Sequence, residues 1–341
     1  MVFDLGENPL LDDLRARGVP IINLPVKREY VPNALKQGWR LARLIRRGRF
    51  AIVQTMHQKA DSYGALIARM SGCSHLVCSK RDIGELRKPW HFFINRRLRR
   101  LFDAYIVVAG AVRKAVMTNE RVAAERIVTI YNGVDTLRFR VPSAAEKAAA
   151  RARVGLAEGD WVVGMVAGFR PEKNHQMFFA GLLQALPRIP SLKVLLVGGG
   201  PLLEHFREHV AGTALAARTI FTGAVHDVVP YLWAMDIGCL TPSGNEGFSN
   251  AVLEQMAVGL PVVDTDIGGN AEAIVEGRTG HVIASSDTAA LARVLVDLHS
   301  DADARATMGT AARKRIEERF SLEQMCAAHA SLYRSLLTRA S

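Results

Sequence analysis

The chain has 341 residues, 49% of them hydrophobic and 23% charged, with a formal net charge of +11. That composition belongs to ordinary globular proteins, and the length exceeds one compact domain and suits two of about 100–200 residues. No apolar run reaches the roughly 20 residues of a membrane span, and the opening MVFDLGENPLLDDL carries acids where a secretory leader would be basic, so a cytoplasmic location is expected.

Charge is unevenly placed along the chain. Residues 1–150 hold 27 Lys plus Arg against 13 Asp plus Glu, whereas residues 151–341 hold 17 against 20. Basic clusters stand at Arg40, Arg43, Arg46, Arg47 and Arg49 and again at Arg96, Arg97, Arg99 and Arg100. Such clusters suit an anionic membrane, a phosphorylated substrate or a nucleic acid, or else form a solvated helix face.

Short apolar runs alternate with helical patterns from one end to the other. In order they are VPIINLPV, FAIVQTMH, HLVCSK, AYIVVA and IVTIYN, then WVVGMVAG, LKVLLVGG, RTIFTGA, MDIGCLTP, LPVVDTD and GHVIA. Strands separated by helices predict βαβ units around parallel sheets. The turn in IYNGVD closes the first series, and SAAEKAAARARVGL opens a helix-rich lead into the second. The expected division is an N-terminal domain over 1–139, a second domain over 140–320, and a closing helix over 321–341. The four cysteines, Cys73, Cys78, Cys239 and Cys326, show no C-x-x-C spacing and read as small buried hydrophobes rather than metal ligands or disulfide partners.

Three segments of the second half carry chemistry. VAGFRPEKNHQMF (166–178) places Arg170 and Lys173 in a loop after a strand, and VLLVGGGPL (194–202) is a glycine-rich turn containing Gly199. The latter lacks the full dinucleotide fingerprint, so it argues for a sheet and not for NAD. In TPSGNEGFSNAVLEQMAVGLPVVDTDIGGNAEAI (241–274) a strand ends at Leu240, a polar loop holds Glu246 and Gly247, and a helix is predicted to start near Ser249 or Asn250 with Glu254 about one turn in. A helix start offers unpaired N–H groups and a positive dipole, which suits a pyrophosphate, while flanking carboxylates can accept hydrogen bonds from sugar hydroxyls.

Glu246 and Glu254, with seven residues between them inside this block, resemble the E-x7-E motif of the retaining family-4 glycosyltransferases of the "glycosyl transferases group 1" type, which have the GT-B fold. The resemblance implies two doubly wound, Rossmann-like α/β domains facing across a cleft. It implies that Glu246 contacts the transferred sugar, Glu254 the ribose, and Lys173 with Arg170 the donor diphosphate, with Gly199, Gly247, Phe248, Ser249 and Asn250 lining the donor site. The family often has an arginine five residues before the lysine, and Gly168 stands there, so Arg170 serves only from a shifted position. Asp264 and Asp266 spell D-x-D, a metal motif in another glycosyltransferase class, but they fall within this family's own pattern, and no metal or other cofactor is expected.

The N-terminal half matches the family more loosely. Where members often carry a histidine near the reacting sugar, this chain has Arg81 and Asp82, and His57 ends an earlier strand. Asn132 through Asp135 resemble the interdomain N-G-V-D turn. The match begins at the end of the family's second strand, so the first βα unit is expected to lie upstream of this sequence. The implied activity is transfer of a sugar from a nucleoside-diphosphate sugar to a glycan or lipid-linked acceptor, as in cell-surface polysaccharide or lipopolysaccharide synthesis, on an anionic membrane surface and without nucleic acid. The alternatives are a basic nucleic-acid- or lipid-binding protein on an inactive scaffold and a sugar-nucleotide epimerase.

Overall fold

The computed structural model describes residues 9–26 and 32–338. Among the described residues ten strands form two wholly parallel sheets. The first comprises β1 (Ile52–Thr55), β2 (His75–Lys80), β3 (Ala104–Val107) and β4 (Ile127–Thr129), in the order β1-β2-β3-β4. The second comprises β5 (Trp161–Val166), β6 (Leu192–Val197), β7 (Thr219–Phe221), β8 (Ile237–Leu240), β9 (Val262–Thr265) and β10 (Gly280–Ile283), in the order β10-β9-β8-β5-β6-β7. Central strands such as LKVLLV are apolar on both faces because helices cover both sides, and Val194, Leu195 and Leu196 are fully buried.

Chain order fixes where a ligand can sit. From β5 the chain builds outward through β6 and β7, then returns to β5's other side with β8, β9 and β10. In an open parallel sheet, the crevice for ligands lies beyond the carboxyl ends of the strands at such a reversal, here β5 and β8.

The expected strand over VPIINLPV does not join the first sheet. Residues 19–26 run without regular structure apart from one bridge residue, Asn23, although Leu24 and Val26 are buried. Pro20 and Ile22 line, with β1 residues Ile52–Thr55, a cavity of about 310 Å³.

Two chain crossings join the domains, and they touch. Val134 N–H donates to the Phe320 carbonyl and Leu322 N–H to the Val134 carbonyl, each at 2.9 Å. The helix Leu322–Thr338 then returns to the first domain, packing Met325, Ala328, Leu332, Tyr333 and Leu336 against Val77, Ala104, Ile106 and Ile130. Those helix positions share one face, and Cys326 falls outside it; it is exposed, whereas Cys73, Cys78 and Cys239 are buried as expected. Among the described residues no helix is long and apolar enough to cross a membrane.

Candidate active site

The loops after β5 and β8 meet at the reversal. Asn174 takes a left-handed conformation (φ 49°), and its side chain caps the helix His175–Ala185 by accepting from Met177 N–H. The turn places Lys173 beside the loop after β8, which is tied down by a 3.0 Å bond from Ser243 N–H to the Glu172 carbonyl and by Thr241 Oγ1 donating to the Asn174 carbonyl at 3.3 Å. Lys173 forms an ion pair with Glu246, and both side chains are largely buried. Arg170 is exposed at the mouth of the same loop. Gly199 lies against that loop, its carbonyl accepting from Phe169 N–H at 2.9 Å.

The next helix, Asn250–Ala257, begins one residue after Ser249. Ser249 is the N-cap by position, but its side chain makes no capping bond; its own N–H donates to Asn270 Oδ1 at 2.8 Å. Asn250 is exposed at the helix start. One turn further, burial pushes the Glu254 carboxyl up to about 7, opposed only in part by the Arg138 charge.

Gly268 (φ 66°) crosses over Glu246 so closely that a Cβ would strike the Glu246 carbonyl, and Gly269 N–H donates to the Gly247 carbonyl at 2.8 Å. The 264–266 aspartates part company. Asp264 is fully buried in β9, where burial holds its carboxyl far above the usual range, while Asp266 is exposed beyond the strand end.

The first domain meets this loop from the other side. Gly247 lies on the Arg81 carbonyl, leaving no room for a side chain. Arg81 donates to Asn132 Oδ1 at 2.7 Å, and Asn132 Nδ2 donates to the Phe248 carbonyl at 2.8 Å. The Phe248 ring points into the domain junction, 5.1 Å from Tyr131 and 5.4 Å from Phe320, so its side chain is committed to packing there. Asp82 is paired with Arg87 at 2.9 Å, Glu85 accepts from Asn245 N–H, and His57 is exposed just past β1.

Two residues not singled out in the sequence complete the junction. Asn270 holds the helix start, and Glu272 accepts from Gly110 N–H and Ala111 N–H at 2.9 Å each and from Tyr131 Oη at 2.8 Å. Their only sequence signal is their place immediately after Gly268-Gly269.

Comparison with known proteins adds the following. Residues 160–301 match the family described as Glycosyl transferases group 1, and residues 2–138 match Glycosyltransferase Family 4. The chain is 30% identical over 255 residues to the lipopolysaccharide core biosynthesis mannosyltransferase LpsB of Rhizobium meliloti, covering 73% of this chain and 69% of that one. It is 33% identical over 214 residues to LpcC of Rhizobium leguminosarum, a protein of the same description, covering 61% and 59%. In structure it superposes on Anabaena HepE, solved in complex with UDP, with a TM-score of 0.87 at 21% identity over 97% of this chain and 90% of that one. Sucrose-phosphate synthase from Thermosynechococcus elongatus gives 0.79 at 20% identity over 95% and 82%.

Proposed function

The chain belongs to glycosyltransferase family 4, and from that premise we propose that it moves a hexose from a nucleoside-diphosphate sugar to a lipid-linked glycan, with retention of anomeric configuration, in lipopolysaccharide or cell-surface polysaccharide synthesis. The observation that carries this is the Lys173–Glu246 pair at the β5/β8 reversal, in the loops that follow β5 and β8, the latter leading into the Asn250–Ala257 helix. A point charge and a helix dipole aimed at one crevice stabilise charge growing on a departing diphosphate. The relatives named above, mannosyltransferases of lipopolysaccharide core synthesis, support the acceptor class.

Retention in glycoside hydrolases uses two carboxyl groups about 5 Å apart, one of them a free nucleophile. Here Glu246 is engaged by Lys173, and Asp264 is fully buried within β9. Attack on the face from which the diphosphate leaves therefore fits better. The acceptor oxygen bonds to the anomeric carbon, the bond from that carbon to the phosphate oxygen breaks, and the acceptor proton passes to that oxygen. Lys173, with Arg170 at the loop mouth, supplies the positive charge a metal provides elsewhere. Among the described residues no three His, Cys, Asp or Glu side chains converge as a metal site.

A panel of UDP- and GDP-sugars tests the proposal. Nucleotide release is expected from one donor, accelerated by acceptor glycolipid and unchanged by EDTA, with product analysis showing retention. Turnover that EDTA abolishes and Mg²⁺ or Mn²⁺ restores would contradict metal independence, and an inverted product would contradict the stereochemistry.

A further inference from the structure

Of the contacts that bridge the two domains, one carboxylate makes three. Glu272 belongs to the second domain, on the turn after β9, and its carboxylate accepts from Gly110 N–H, Ala111 N–H and Tyr131 Oη, all in the first domain. The two amides open the helix Gly110–Ala115 that follows β3, and Tyr131 follows β4. The approach is close: a Cβ at residue 110 would lie 3.2 Å from Glu272 Oε1.

On its own side the turn is braced. Arg315 donates to the Glu272 carbonyl at 2.8 Å and to the Ala273 carbonyl at 2.6 Å. Three residues upstream of Glu272, Gly269 N–H holds the Gly247 carbonyl, and Asn270 holds Ser249 N–H. The segment that grips the first domain is thus the segment that positions Glu246, Gly247 and the helix start.

We propose that Glu272 is a closure clasp, a positioning residue whose three bonds form when the two domains close and whose formation sets the donor loop against the acceptor domain. The proposal rests on the assignment of the donor site to the loops after β5 and β8. The donor residues assigned there all belong to the second domain, so nucleotide binding does not need the clasp. Transfer does, because acceptor and anomeric carbon must be brought into register across the junction. Loss of Glu272 should therefore appear in kcat and in domain closure, not in nucleotide affinity.

The experiment compares wild type, Glu272→Ala, Glu272→Gln and Tyr131→Phe as full chains. UDP and GDP affinity is measured by calorimetry, turnover by nucleotide release from the donor the wild type uses, and compactness by small-angle X-ray scattering with and without nucleotide. Expected are nucleotide affinities within about twofold of wild type, since no donor contact is touched, and a kcat loss of about 10- to 100-fold for Glu272→Ala, the loss typical of charge-assisted bonds. Glu272→Gln, which keeps one acceptor oxygen, and Tyr131→Phe, which deletes one bond, should lose less, and scattering should show a larger radius for Glu272→Ala with nucleotide bound.

Wild-type turnover and compactness in Glu272→Ala would overturn the proposal, as would a loss confined to nucleotide affinity. Should Glu272→Ala melt below the assay temperature, the two milder variants decide by the same criteria: unchanged kcat in both refutes the clasp. If the wild type releases nucleotide from no sugar donor, the functional assignment fails, while the scattering comparison still judges the clasp.

Discussion

A carboxylate that accepts hydrogen bonds from ribose works best ionised, yet burial holds Glu254 at about 7. Between about pH 4.5 and 7 the folded protein therefore binds this proton more tightly than the unfolded chain, and Glu254 lowers folding stability progressively as pH rises through that window. On the proposed placement of Glu254 against the ribose, nucleotide binding should have the opposite sign, because ligand would favour the ionised carboxylate. Affinity for UDP or GDP should rise between pH 6 and 8 more steeply in wild type than in Glu254→Gln; the nucleotide's own phosphate titration is common to both and cancels. Parallel pH profiles in calorimetry would remove Glu254 from the ribose. Lys173→Ala should cost about 1.5–3 kcal/mol of nucleotide binding at every pH, the loss of one charge-assisted bond. The placement of both residues, one in the loop after β5 and one a turn into the Asn250–Ala257 helix, was legible because it depends on a local sequence of loop, helix start and strand. Glu272 was not, because its partners lie 162, 161 and 141 residues away, and no periodicity or spacing encodes a pairing at that range.

Strands show the same division between local and distant. Apolar runs disclosed all ten strands of the described residues, since a run buried between helix layers must be apolar whatever its neighbours. At residues 19–26 the apolar run gives one bridge residue, Asn23, rather than a strand of the first sheet, and its Leu24 and Val26 are buried. Equally hidden was the role of β2's last residue. Lys80 is 1% exposed and bonded to Asp61 at 2.9 Å and Glu120 at 3.0 Å; Arg87 joins Glu120 at 3.0 Å to Asp82 at 2.9 Å. This chain of charges, buried at Lys80, Asp61 and Glu120 and reaching the surface at Asp82, adjoins the backbone of Arg81, whose carbonyl lies on Gly247. Lys80→Met would leave the buried Asp61 carboxylate without its cation, facing Glu120, which keeps only Arg87, a cost of about 3–5 kcal/mol. A large fall in melting temperature is expected, and adding Asp61→Asn and Glu120→Gln should recover part of it. A single Lys80→Met variant melting like wild type would mean that these charges are not in fact desolvated.

At the scale of the whole molecule the two domains differ in what they show to solvent. Every large exposed hydrophobic among the described residues lies before residue 142 or after residue 321. In the first domain the helices Pro32–Gly48 and Pro89–Leu98 both pack against the segment Ala60–Met70. From these three come Leu35, Trp39, Met70, Trp90 and Phe93, all exposed, interleaved with the arginine clusters of both flanking helices; Arg43 lies over Trp39 and Arg97 over Phe93. Basic side chains beside half-exposed aromatics suit the boundary between lipid headgroups and acyl chains, and a lipid-linked acceptor would have to be met there. Electrostatics and burial should then separate in a salt titration. Each well-placed arginine adds about 1 kcal/mol on an anionic surface, and that part fades as the Debye length shrinks. The apolar part persists, so sedimentation with phosphatidylglycerol vesicles should fall steeply with salt to a residual level, and Trp39→Ala with Phe93→Ala should remove that residue of binding. Replacing Arg43, Arg46 and Arg47 by Gln should instead flatten the salt dependence and leave the residual level in place. Equal binding to neutral phosphatidylcholine vesicles and anionic ones would show that the arginine clusters are a solvated helix face and nothing more.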